Sequence, residues 1–195
     1  ENLQVADLKT NLTPAILAYD GIRFKYMAPE VFSYKEFEYI QNHLFILSGF
    51  YGAVRPFDGV IPYRLEMQAK LQGENFKNLY DFWRGDIAKY ITDGRDTIIN
   101  LASDEYFKAV KKYFPENIRV VTCVFAALES GKLKEKGVKC KMARGEIVRY
   151  MAENNVQSPE ELKKFQRQGY AYRDDLSSDD RFVFVQKKIC ENHRF

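Results

Sequence analysis

The chain has 195 residues, 46% of them hydrophobic and 29% charged, with a net charge of +3, so it can bury a core and solvate its surface as one domain. No window approaches the roughly 18 uninterrupted apolar residues of a membrane span, and Cys123, Cys140 and Cys190 form no CxxC pair. These features argue against a membrane protein and a disulfide scaffold. Without a basic and apolar leader at its start, we expect a cytoplasmic protein.

The first quarter of the chain alternates apolar runs with a polar, amphipathic stretch. The apolar run 14–20 ends at a turn signal, which predicts a buried strand. Ser33 followed by Glu36 is the capping-box pattern that begins a short helix. The stretch HLFILSGFYG, residues 43–52, then predicts a second apolar strand, which breaks at Gly49 and Gly52.

The middle of the chain predicts two helices separated by a strand. Apolar residues recur at helical spacing over 75–91, which predicts an amphipathic helix despite Gly85. The run 97–102 predicts a strand. Ser103 is expected to cap a helix that begins at Asp104, where an acidic residue suits the positive end of the helix dipole.

The second half predicts a hairpin, a helix and a closing strand. Extended runs flank Ser130-Gly131, which predicts a β-hairpin whose polar second strand reaches residue 140. A helix is expected over 142–155, a short one from Ser158, and a last strand at Phe182 and Phe184. This order predicts an α/β fold, in which a mixed parallel and antiparallel sheet is surrounded by helices and carries a late hairpin.

Positive charge is concentrated in one segment. Residues 106–150 contain eleven Lys and Arg against four Asp and Glu, a balance of +7, so the rest of the chain carries −4. A segregated basic segment is typical of proteins that bind a polyanion. A solvated basic face without a partner is the alternative.

Charged residues also interrupt an apolar stretch at 47–67, LSGFYGAVRPFDGVIPYRLEM. It holds Arg55, Tyr63, Arg64 and Glu66. A buried arginine needs a carboxylate or several carbonyls, because an unpaired buried charge costs several kcal/mol. If the segment is extended, Arg64 and Glu66 share a face, and we expect them at the floor of a cleft.

A second polar grouping, NLASDEY, lies where the strand at 97–102 gives way to a helix. It holds Asn100, Ser103, Asp104 and Glu105. Free N–H groups at such a junction can hold an anion. Capping of the helix by Ser103 and Asp104 is the alternative.

The third grouping, KCKMARGEIVR, is basic. Lys139, Lys141, Arg144 and Arg149 are predicted to lie across a strand-to-helix junction, where Lys141 and Arg144 emerge together as a phosphate clamp. A surface basic patch explains each residue equally well.

Several common catalytic patterns are missing. The sequence contains no P-loop, GxGxxG, GxSxG or HExxH motif, which removes the usual support for nucleotide, dinucleotide, hydrolase and zinc-protease functions. His43 and His193 are the only histidines, and neither lies in a cluster typical of a metal site or a triad. We therefore assign no metal and no cofactor.

The three groupings described above, LSGFYGAVRPFDGVIPYRLEM, NLASDEY and KCKMARGEIVR, occur in an order that resembles the YaaA family of bacterial peroxide-stress proteins. The resemblance extends through AILAYDG, LYDFW and GYAYRDD, over nearly all of residues 12–188. It implies a protein of the peroxide response that limits intracellular free iron and binds duplex or branched DNA through a basic cleft. The strand and helices with which family members begin are absent here, so residues 1–195 are expected to form one domain that lacks this segment. The family's helix-hairpin-helix signature is absent too.

The leading hypothesis is a monomeric, non-enzymatic protein that binds DNA without sequence specificity. The expected phosphate contacts are Lys108, Lys111, Lys112, Lys139, Lys141, Arg144 and Arg149.

The rival hypothesis is an enzyme or a small-ligand site formed where the three sequence groupings meet. Its anion cleft would contain Arg55, Tyr63, Arg64, Glu66, Asn100, Ser103, Asp104 and Arg144. Glu66 and Glu105 are the candidates for acid-base chemistry on an anionic small molecule or nucleotide. Direct iron ligation by Glu, Asp and Cys is the weakest hypothesis, because no spacing suggests a cage of hard ligands.

Overall fold

A computed structural model describes residues 12–187. This part of the chain divides into two compact units, the first formed by residues 12–20 and 37–120, the second by residues 21–36 and 121–187. The prediction of one domain over 1–195 stays a prediction. None of the helices in the described part is long and apolar enough to cross a membrane.

The described helices are α1 (Ala15–Ala18), α2 (Ile22–Met27), α3 (Tyr34–His43), α4 (Leu79–Trp83), α5 (Asp86–Thr92), α6 (Asp104–Phe107) and α7 (Gly137–Glu153). The strands are β1 (Thr13–Pro14), β2 (Ile46–Ser48), β3 (Gly52–Val54), β4 (Gly59–Val60), β5 (Thr97–Asn100), β6 (Arg119–Glu129), β7 (Lys132–Lys134), β8 (Tyr170–Tyr172) and β9 (Arg181–Gln186). Short 3₁₀ helices cover Pro29–Val31, Lys111–Tyr113, Pro159–Lys164 and Asp174–Leu176.

In the first unit, two antiparallel strand pairs hold the stretch 47–67 against helices. β2 pairs with β3 and β1 pairs with β4. Beneath β2 and β3 lies an apolar cluster formed by Met67, Leu79, Ile87, Ala88, Ile91, Ala109 and Val110. Gly52 has a φ of 76°, and a Cβ there would lie 2.9 Å from the Trp83 ring. The indole N–H of Trp83 donates to the Gly49 carbonyl at 3.0 Å, which fixes α4 against the turn between β2 and β3.

The second unit is built on a mixed sheet. β6 and β9 are parallel, while β7 pairs antiparallel with β6 and β8 pairs antiparallel with β9. Phe125 lies opposite Phe184 in this register, and both are fully buried. The predicted α/β class with a mixed sheet and helices is therefore confirmed.

α7 and α2 cross at very close range in the same unit. A Cβ on Gly145 would lie 2.1 Å from the Arg23 carbonyl oxygen. Glycine therefore permits the approach of the two backbones, and no other residue does so without a shift.

The hairpin and the closing strand are confirmed. Ser130 and Gly131 have φ values of 49° and 74°, as a tight two-residue hairpin turn with two left-handed residues requires. β9 contains Phe182 and Phe184 at the predicted place.

Other expectations were wrong. Within the apolar run 14–20, residues 15–18 form α1 and not a strand, because a short apolar run has no period that separates a buried strand from a buried helical turn. The predicted helix over 75–91 is two helices, separated at Arg84-Gly85. The polar second strand of the hairpin ends at Lys134 and α7 begins at Gly137, because the Lys-rich sequence favours a helix.

Candidate functional site

Ser48 is the centre of a hydrogen-bond network in the first unit. Its side-chain oxygen is buried and accepts the N–H groups of Phe50 at 3.1 Å and Tyr51 at 2.8 Å. A hydroxyl has two acceptor lone pairs and one proton. Ser48 therefore donates to the Tyr63 hydroxyl at 2.6 Å, and Tyr63 is hydrogen-bonded to the Tyr19 hydroxyl at 2.7 Å.

The two linked phenols are weak acids in this setting. Burial raises the pKa of both Tyr19 and Tyr63 above the ordinary value of 10.0, although the hydrogen bond from Ser48 acts in the opposite direction. Both hydroxyls therefore stay protonated at neutral pH. The Phe50 ring stacks on Tyr63 at a centroid distance of 5.3 Å.

The charged residues of the same stretch lie outside this network. Arg64 and Glu66 form an ion pair of 3.4 Å between Nε and Oε1, and their side chains are 89% and 54% exposed. They lie on the surface of the first unit rather than at a buried floor. The Arg55 guanidinium is 5.7 Å from the centre of the Phe45 ring, and its backbone N–H donates to Asp58 at 2.7 Å.

The second grouping contacts the first through a carboxylate. Glu105 Oε1 accepts the Gln68 N–H at 3.2 Å, which ties α6 to the segment just after Glu66. Asn100 is buried and its Oδ1 accepts the Ala102 N–H at 3.0 Å. The two predicted groupings are thus brought together within the first unit.

The helix α6 begins at Asp104 and Ser103 is its N-cap residue, as predicted, but the capping hydrogen bond is absent. Ser103 occupies the N-cap position of α6 with extended backbone angles, but its hydroxyl makes no capping hydrogen bond. Its carbonyl accepts the Phe107 N–H at 2.8 Å. The Asp104 side chain is exposed.

Arg144 is the most unusual member of the third grouping. Its side chain is 14% exposed, and its Nη2 lies 3.7 Å from Glu135 Oε2. The buried Nε has no hydrogen-bond partner among residues 12–187. A buried donor without a partner is rare and costly, so this guanidinium has capacity for one more acceptor.

The other basic residues of this grouping all lie on α7, not across a junction. Lys139 donates to Gln186 Oε1 at 3.0 Å, and Arg149 donates to Glu153 Oε1 at 2.7 Å. The Glu153 carboxylate also forms an ion pair with the Arg167 guanidinium. Lys141 is exposed and has no ion pair in the described part of the chain.

Three lysines of the first unit form what we call the lysine patch: Lys108, Lys111 and Lys112. All three side chains are exposed. Their Nζ atoms lie over the rings of Tyr80 at 5.2 Å, Phe107 at 6.0 Å and Tyr113 at 4.7 Å, respectively. None of them has a carboxylate partner between residues 12 and 187, so cation–π contacts hold them without neutralising them.

Both described cysteines, Cys123 and Cys140, are buried, and the pKa of each thiol is raised. Cys123 is fully buried, and burial raises the pKa of its thiol to about 12 despite the positive charge of Arg144. Burial likewise raises the pKa of Cys140, whose Sγ donates to the Phe125 carbonyl at 2.9 Å. Cys190 and His193 lie outside the described residues.

His43, at the end of α3, packs against an aromatic ring of the same helix. Its ring stacks on Tyr39 at 4.4 Å, and burial, followed by the charge of Arg95, lowers its pKa. Over residues 12–187, no group of three or more His, Cys, Asp or Glu side chains is placed to hold a metal ion.

Sequence reasoning selected Tyr63 but missed Ser48, Tyr19 and Tyr51. Tyr19 and Tyr63 are 44 positions apart, and nothing in their spacing signals that their hydroxyls meet. The usable signal was local: a serine at a strand end followed by glycine commonly accepts N–H groups of the turn.

Comparison with known proteins gives a consistent result. The family model described as peroxide stress protein YaaA matches residues 1–176. UPF0246 protein DSY0297 of Desulfitobacterium hafniense is 54% identical over 95% of this chain and 74% of its own length. UPF0246 proteins of Agathobacter rectalis and Pediococcus pentosaceus are 52% and 50% identical, over 95% and 97% of this chain and 74% and 75% of their own lengths. All three sequence groupings lie inside the matched residues.

Proposed function

The chain belongs to the YaaA family of peroxide stress proteins, and we propose that it is a cytoplasmic, monomeric protein that limits free iron and binds DNA during peroxide stress. The lysine patch is the observation that carries the DNA part of this proposal. Three exposed ammonium groups without carboxylate partners suit the phosphates of a duplex or a junction, which are bound through charge without sequence reading.

The cations of the second unit differ in how available they are. Lys141 is exposed, whereas Lys139 and Arg149 already have partners. A phosphate must compete with Glu153 for Arg149. We therefore assign most of the salt-dependent affinity to the lysine patch and Lys141, and less to Lys139 and Arg149.

Fluorescence anisotropy with labelled duplex and four-way junction DNA tests this assignment. The logarithm of the affinity is expected to fall linearly with the logarithm of salt, by about 0.9 per phosphate contact. The triple variant Lys108→Gln/Lys111→Gln/Lys112→Gln should bind more weakly and lose about 2 to 3 from the magnitude of that slope.

A control variant removes the same charge from elsewhere. Lys35→Gln/Lys70→Gln/Lys164→Gln changes three exposed lysines that are far apart in the sequence and lie outside residues 106–150. Its slope should match the wild type. Equal slopes for the two triple variants would show that net charge, not the patch, drives binding, and absence of wild-type binding would refute the DNA proposal.

Family membership alone supports the iron part of the proposal. Whole-cell electron paramagnetic resonance of chelated iron, in cells with and without the protein, measures it directly. Free iron should be higher after peroxide exposure in the cells that lack the protein. Equal iron levels in the two strains would contradict this part.

A small-molecule site is the second candidate function, and the buried Arg144 Nε favours it. An anionic substrate that accepts from Nε would complete the hydrogen bonds of this guanidinium. The proposed site also includes Arg64, Glu66 and Ser103, whose meeting with Arg144 stays a prediction.

Thermal unfolding in inorganic phosphate and sulfate separates this candidate from DNA binding. Phosphate should raise the Tm of the wild type and of Arg149→Gln, a control on the same helix, but not of Arg144→Gln. An equal rise in all three proteins, or none in the wild type, would remove the candidate.

A further inference from the structure

Arg84, at the corner between α4 and α5, has a backbone conformation that arginine rarely adopts. Its φ and ψ are 45° and −124°, and those of Gly85 are −86° and −6°. The pair matches a type II′ turn, whose first central position normally belongs to glycine. The corner is therefore strained by the side chain that it carries.

Local contacts do not explain why an arginine occupies this position. Its backbone N–H donates to the Tyr80 carbonyl, which any residue except proline can do. Its Nε donates to the Asp81 carbonyl at 3.0 Å and lies 3.8 Å from Asp81 Oδ1. The side chain is 66% exposed, and its terminal amino groups have no hydrogen-bond partner in residues 12–187.

The corner lies beside the lysine patch. Tyr80 precedes Arg84 by about one helical turn, and Lys108 lies over the Tyr80 ring. On the other side, the Tyr113 ring lies 3.5 Å from the position of a Cβ on Gly85, and Lys112 lies over that ring. Two aromatic side chains thus connect Arg84 to cations of the patch.

We propose that Arg84 extends the lysine patch and binds backbone phosphate of a nucleic acid. A guanidinium presents a planar fork that suits phosphate oxygens, and a fork with free terminal amino groups on a strained, exposed corner is well presented for it. This inference rests on the proposed DNA binding, and it adds a residue that lies outside the basic segment 106–150.

Three substitutions of Arg84 distinguish the effect of its side-chain charge on DNA binding from the effect of its backbone strain on stability. Arg84→Gln keeps the strain and removes the charge, so DNA affinity should fall several-fold and the salt slope should lose about 0.9, at an unchanged Tm. Arg84→Lys should retain most of the affinity. Arg84→Gly should bind as weakly as Arg84→Gln while its Tm rises by about 2–4 °C, because glycine relieves the strain. Lys70→Gln is the control for loss of one exposed charge.

The outcomes keep the two proposals distinguishable. Wild-type affinity and slope in Arg84→Gln, with weakened binding by the triple lysine variant, would overturn the role of Arg84 and leave the proposed function standing. No binding by the wild type would overturn both. Loss of affinity in Arg84→Gln with a lowered Tm would also count against direct contact.

Discussion

Ser48 organises the residues around it because its single hydroxyl serves three partners. Two of them are backbone N–H groups of the turn after β2, and the third is the Tyr63 hydroxyl. The side chain is almost fully buried, so no water replaces a lost contact. The turn geometry and the position of Tyr63 thus depend on the same oxygen atom.

We expect Ser48→Ala to be more harmful than Tyr63→Phe. Alanine leaves the part-buried N–H groups of Phe50 and Tyr51 without their acceptor, which costs up to about 1–3 kcal/mol for each unsatisfied group. Phenylalanine removes one hydroxyl from a partly exposed site and should cost about 1 kcal/mol. Urea denaturation of both variants measures the free energies of unfolding, and an equal loss in the two would contradict this ranking.

Peroxide stress often acts on protein thiols, but Cys123 and Cys140 are unsuited to it. The thiolate is the reactive form, and burial raises both pKa values. We expect neither residue to be alkylated or oxidised in the folded protein at pH 7, whereas both should react in denaturant. Peptide-resolved mass spectrometry after peroxide or iodoacetamide measures this, and sulfenic acid at Cys123 in the folded chain would contradict it.

Elements with a strong local signal could be predicted from the sequence, and elements set by their neighbours could not. The hairpin at Ser130-Gly131 follows from turn chemistry, and its two left-handed residues confirm it. The break at Arg84 has no such signal, because arginine is a good helix former and its left-handed backbone opposes its own preference.

Gly145→Ala tests the close crossing of α7 and α2. A methyl group there would meet the Arg23 carbonyl at 2.1 Å and the Met27 nitrogen at 2.9 Å. Backbone atoms cannot rotate away, so the helices must separate, and we expect a loss of about 3 kcal/mol or more.

Gly137→Ala is the matched control, since it lies in the same helix and a Cβ there meets nothing within 4 Å. It should be neutral or stabilising by up to about 1 kcal/mol. Thermal and urea unfolding of the two variants gives the comparison. A small effect of Gly145→Ala would mean that the two helices move apart easily.

The molecule as a whole shows why the candidate site was only partly predictable. Charge density is a property of the sequence, so the basic segment was found. Availability is a property of the fold: Arg149 is paired, Arg144 is largely buried and the lysine patch lies over aromatic rings. Glu105 and Gln68 are 37 positions apart, and no spacing rule predicts their contact.

Both units contain acids that resist ionisation. Burial raises the pKa of Tyr19, Tyr63 and Tyr80 in the first unit, and it raises the pKa of Cys123 and Tyr170 to about 12 in the second. When a folded pKa lies above the unfolded one, the unfolded chain loses its proton first as pH rises. Stability is therefore complete below the unfolded values of 9.0 and 10.0 and declines above them.

We expect the free energy of unfolding to fall steeply as pH rises into the alkaline range and only slightly as pH falls into the acid range. Above pH 9 for the Cys123 thiol and above pH 10 for the buried phenols, each fully buried group removes up to about 1.4 kcal/mol per pH unit. The acids with lowered pKa, such as Glu129 and Asp175, lie in exposed ion pairs, so their stabilisation is screened by solvent and is lost as pH falls below their ordinary pKa values of 4.5 and 3.8. Urea denaturation between about pH 2 and pH 11 measures both limbs. Cys123→Ala should flatten the alkaline limb, and an unchanged slope in this variant would show that the thiol does not contribute.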